Sequence, residues 1–111
     1  MSRSEMLARW QEVLDHWEDM AQHGRQAARA PVWHACAFCL AFMRGGCGGC
    51  PVGEAGHFEC NDTPYWDVWD AWSDADIPNS KVKAAARKMR TFLRKLYAQW
   101  LKDNPEEAPD K

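Results

Sequence analysis

The sequence predicts an all-α protein built as one small domain of about four helices. Apolar residues recur at three- and four-residue spacing over most of the chain. Capping residues and glycine or proline stops bound those stretches, and no stretch alternates in the way a strand would. The 111 residues suit a single core, and an apolar content of 46% with seven tryptophans supplies the area such a core must bury. The domain is expected to span residues 1–104, with "PEEAPDK" (105–111) as a solvated tail.

"SRSEMLARWQEVLDHWEDMAQHG" is expected to form the first helix. Ser2 and Glu5 have capping-box spacing, and Gly24 is a natural stop. Met6, Trp10, Val13, Trp17 and Met20, with Leu7, Leu14 and Ala21 beside them, form one broad apolar stripe. "RQAARAPVWHACAFCLAFMRGG" reads as a second helix, opened or restarted at Pro31, apolar nearly all round and ended by Gly45 and Gly46. "CGGCPVGEAGHFECND" is glycine-rich and aperiodic, hence a loop. Thr63 as N-cap and Pro64 at the first helical position open a third helix, "YWDVWDAW", which "SDADIPN" breaks. Within it Tyr65, Trp69 and Trp72 share one face, while Trp66 projects elsewhere. Ser80 is expected to cap a long last helix whose apolar face is Val82, Ala86, Met89, Leu93, Leu96 and Trp100.

Charge is unevenly spread. The formal net charge is −2, yet residues 80–102 hold eight basic and no acidic side chains. Residues 1–79 hold five basic and twelve acidic ones. The last helix therefore offers a candidate face for nucleic acid or an acidic partner, with Arg87, Lys88, Arg94 and Lys95 at its centre. The near-neutral whole argues instead for a solvated face that balances the acidic remainder, above all the aspartate-rich tryptophan segment, which is expected to pack against it. No run is long and apolar enough for a membrane span, and the N-terminus shows no secretory signal, so a reducing cytoplasm is the expected setting.

All five cysteines fall between residues 36 and 60. In a reducing compartment, clustered cysteines bind metal or do redox work more often than they form disulfides. Cys36 and Cys39 form one Cys-x2-Cys pair, Cys47 and Cys50 a second, and Cys60 follows. Zinc takes four such ligands in a tetrahedron, and each pair supplies two from one short segment. The glycines of "CGGC" allow the bend of a metal-binding knuckle. Cys36, Cys39, Cys47 and Cys50 are the leading set, with Cys60 replacing one of them as the variant, and His57 and His34 as further candidates. A four-thiolate site leaves no open position for substrate, so the zinc is expected to staple the glycine-rich loop rather than to catalyse. Glu54 and Glu59 lie in the loop with nothing to place them as a catalytic base. An iron–sulfur cluster also takes four thiolates, but these spacings do not match its standard patterns, and the helical setting disfavours a thiol–disulfide oxidoreductase.

The order of a tryptophan-containing helix, "CAFC", "CGGCP", a later cysteine and "TPYWDVW" resembles small uncharacterised cysteine-rich proteins common in bacteriophage genomes. Those share a C-x2-C…C-x2-C-P…C…Y-x2-W arrangement, met here over residues 10–72. The resemblance implies a phage-associated, metal-binding protein of the host cytoplasm and carries over no activity. The expectation is thus a non-enzymatic, zinc-stabilised interaction protein that binds or inhibits a host or defence protein. The alternatives are a nucleic-acid-binding regulator using the basic C-terminal helix and an iron–sulfur or redox protein.

Overall fold

The computed structural model describes residues 2–28, 31 and 63–105. These form three α-helices, α1 (Arg3–His23), α2 (Tyr65–Ser73) and α3 (Asn79–Asp103), and one 3-10 turn (Gly24–Gln26). No strand occurs among the described residues. No helix among them is long and apolar enough to cross a membrane.

Helix α1 begins as its sequence dictates. The Ser2 hydroxyl accepts the Glu5 amide at 3.1 Å, which satisfies one of the donors every helix start leaves over. The helix runs antiparallel to α3. Arg3 at its start donates from Nε to the Asn104 carbonyl at 2.8 Å, and its guanidinium lies 6.0 Å from the Trp100 ring centre. The stripe of α1 meets that of α3: Trp10, Val13, Trp17, Met20 and Ala21 are buried against Val82, Ala86, Met89 and Leu93. Trp10 is fully buried, with Tyr97 and Trp100 at ring-centre distances of 5.0 and 6.3 Å. Helix α2 lays only one wholly buried residue, Val68, on this core, and Tyr65, Ala71 and Trp72 pack partly buried beside it.

Three expectations shift in detail. The Thr63 hydroxyl accepts the Tyr65 amide at 3.2 Å, but Pro64 rather than Thr63 stands at the N-cap and Tyr65 is the first helical residue. The reason is that the first helical hydrogen bond runs from the Val68 amide to the Pro64 carbonyl. Helix α3 starts at Asn79 rather than after a Ser80 cap, because the Asn79 side chain is engaged by the end of α1. A second helix does not begin at Arg25: residues 24–26 make a 3-10 turn and Ala27 is extended. A helix restarted at Pro31 lies outside the described residues, as do the glycine-rich loop and all but the first residue of the tail.

Candidate functional site

Cys36, Cys39, Cys47, Cys50 and Cys60 lie outside the described residues, and so do His34, His57, Glu54 and Glu59. What is described is how the fold holds the two ends of the segment that carries them. The Tyr65 hydroxyl donates to the Pro31 carbonyl at 2.7 Å, so the chain leaves and rejoins the core at one place. Pro31 and Thr63 are buried there, and the Tyr65 ring meets Trp17 edge-on at 6.3 Å. Tyr65 has a positional reason for its chemistry: the ring joins the core and the hydroxyl pins the far end of the segment. Among the described residues, no group of three or more histidine, cysteine or acidic side chains could hold a metal ion.

The next residue faces the other way. Trp66 is 44% exposed and meets the Tyr65 ring edge-on at 5.1 Å. Asp67, Asp70, Ser73 and Asp74 are exposed with it. Trp69 and Trp72 stack at 5.7 Å and are half-buried rather than core. A helix of nine residues can bury only a narrow stripe, and Val68 takes its centre.

A polar clasp that sequence reasoning missed fixes the position of α2. Arg25 donates from Nε to the Trp72 carbonyl (3.2 Å) and from Nη1 to Ile77 (2.6 Å). Its Nη2 donates to the carbonyls of Ala71, at 2.8 Å, and Asp74. One guanidinium thus caps the C-terminal end of α2, where orphan carbonyls and the helix dipole both favour a cation. The Arg25 amide donates to Asn79 Oδ1 at 2.8 Å, and Asn79 Nδ2 donates to the His23 carbonyl at 3.1 Å. Gly24 makes the close approach possible: its φ is +58°, and a Cβ there would collide with the Asn79 amide. In the sequence, Arg25 reads only as the first residue of a second helix. The one local signal was the glycine ahead of it.

The basic face of α3 is assembled as the sequence suggested. Arg87, Lys88, Arg94 and Lys95 are all exposed on one side of the helix, with Lys81 and Lys102 at its ends. Lys83 and Arg90 sit half-buried at the edge. Two arginines of this helix pair with α1: Glu18 accepts from Arg90 Nη1 at 2.7 Å and from Arg94 Nη2 at 2.8 Å. The Arg90 hydrogen bond, with a smaller attraction from both guanidinium charges, holds the Glu18 carboxyl below its ordinary range. Helix α2 does pack against α3, but through apolar side chains. Among the described residues, no ion pair joins Asp67, Asp70, Asp74 or Asp76 to α3. The acidic segment therefore does not neutralise the basic face by direct contact.

A third polar feature is an open cleft of about 240 Å³ along α1, lined by Glu12, Asp15, His16, Asp19 and Ala28. Its Asp19 accepts the Ala28 amide at 2.8 Å and so ties the chain after the 3-10 turn back to α1.

No protein-family model matches the chain, and no curated protein or solved structure matches it either.

Proposed function

We propose that this is a non-enzymatic, zinc-stapled helical protein that binds another protein through the outer face of α2. The observation that carries the reading is the pair Tyr65–Trp66. Tyr65 turns inward and ties together the two ends of the cysteine segment, while Trp66 beside it turns outward among carboxylates. A half-exposed tryptophan is a common interface anchor, and indole flanked by Asp67 and Asp70 suits a partner presenting arginine or lysine. The two Cys-x2-Cys pairs support the zinc, with Cys36, Cys39, Cys47 and Cys50 as ligands and Cys60 as the variant. In the phage-type setting that the cysteine spacing suggests, the partner is a host or defence protein.

The test is affinity capture from a bacterial lysate with the wild-type protein and Trp66→Ala, each checked by circular dichroism. The reading expects a defined partner on the wild type, lost on the variant while helicity is unchanged. Equal retention by both proteins, or no partner with the wild type, removes the α2 face from the function.

A further inference from the structure

We propose that the outward face of α3 binds double-stranded DNA through the phosphate backbone, independently of the α2 face. Three features of α3 point there: the layout of its cations, what lies between them, and what is absent.

The cations fall in two rows. Lys81, Lys88, Lys95 and Lys102 repeat every seven residues, a rise of about 10.5 Å per step along the helix. Arg87 and Arg94 repeat at the same interval on the other side. Between the rows run Ala84, Thr91 and Ala98, also seven apart and also exposed. The centre of the face is thus low and its flanks are long and positive. The major groove of B-form DNA is about 12 Å wide and accepts an α-helix, leaving the phosphates of both strands beside it. Small residues toward the groove floor with cations on both sides is the arrangement that geometry requires. At 25 residues, α3 is about 37 Å long, close to one turn of duplex.

The same features decide against other polyanions. Single strands are held by stacking on exposed aromatics, and the aromatic residues of α3, Phe92, Tyr97 and Trp100, pack toward the core. The deep, narrow major groove of A-form RNA does not admit side chains of this kind. Few groups on the face can read a base edge, so the binding is through phosphates and largely indifferent to sequence. The acidic remainder of the chain opposes the approach of DNA. Salt screens exposed charges beyond about 10 Å at 0.1 M, and among the described residues no carboxylate of α1 or α2 but one pairs with a cation of α3. Glu18 is the exception, since it occupies Arg94 directly. Five exposed cations, Lys81, Arg87, Lys88, Lys95 and Lys102, make no ion pair among the described residues.

Fluorescence anisotropy with the full-length protein and a labelled random-sequence duplex of roughly two helical turns tests this. Five phosphate contacts predict an affinity that falls several hundred-fold between about 50 and about 200 mM salt. Combined Arg87→Gln, Lys88→Gln and Lys95→Gln should weaken binding at least about tenfold at low salt and reduce the log–log salt slope by about three. Arg87→Lys should bind as the wild type does, because it keeps the charge that a phosphate needs. Glu18→Gln, which frees Arg94, should steepen the slope by about one. Circular dichroism checks that each variant is folded. No binding at about 50 mM salt, or a triple variant that binds like the wild type, overturns the proposal. Tighter binding to a single strand, to duplex RNA or to polyglutamate than to duplex DNA overturns it as well.

Discussion

Helices α2 and α3 lie side by side on the same core, yet they are held by different means. Helix α3 has 25 residues and buries four of them, Val82, Ala86, Met89 and Leu93, against the tryptophan stripe of α1. Its position follows from its own amphipathic pattern. Helix α2 has nine residues and wholly buries one, which is shorter than the roughly 12–15 residues at which isolated helices become even marginal in water. Its two ends are fastened by groups from elsewhere: at the start Tyr65 reaches the Pro31 carbonyl, and at the end Arg25 gathers four carbonyls. The long helix is placed by burial and the short one by directed hydrogen bonds. The same division separates what a core substitution destroys from what a polar one destroys.

The largest effect is expected at the core both helices share. Trp10→Ala should cost about 3–5 kcal/mol, because it empties a fully buried site between α1 and α3. Denaturant unfolding should show α1 and α3 lost together. Next comes Arg25→Ala, which leaves the carbonyls at the end of α2 without their cation and should cost about 2–3 kcal/mol. Hydrogen exchange should rise in α2 and the turn after it while α3 stays protected. If α3 loosens equally, the contrast between the two helices fails. Arg25→Lys should not restore α2, since a single ammonium cannot reach four carbonyls as the guanidinium fork does. Gly24→Ala should destabilise by about 1–2 kcal/mol through its positive φ, with the collision at Asn79 adding to that.

The smallest effect is electrostatic. The Glu18 carboxyl is held below its ordinary value of 4.5 when folded, chiefly by the Arg90 hydrogen bond. Its contribution to stability is therefore fully present above that value and fades as pH falls through the lower, folded one. Thermal melts of wild type and Glu18→Gln should differ near neutral pH and converge only as pH falls through the lowered, folded value. A difference that grows on acidification contradicts the assignment.

These contrasts also mark what the sequence could disclose. The stripes of α1 and α3 were legible because burial repeats at helical spacing, and Ser2, Thr63 and Pro64 announced helix starts through interactions only a few residues long. The basic face was legible for the same reason, since every cation on it belongs to one helix. Arg25 was not. Its partners lie 46–52 residues away in sequence, and no local pattern connects them. Glu18 meets Arg90 across 72 residues, so the side on which α1 lies against α3 was equally hidden. The aromatic segment was half-legible: Trp66 was rightly set apart from its neighbours, but Trp69 and Trp72 reach only the margin of the core.

The fastening at Pro31 and Tyr65 brackets the segment that holds every cysteine of the chain. The central proposal is that this segment is closed by one structural zinc. Metal analysis of protein purified without oxygen, read together with its visible spectrum, tests that most directly. One zinc per chain in a colourless sample, with loss of helical signal on chelation, is the result expected. A brown sample containing iron, or a metal-free protein that is fully folded, would contradict it.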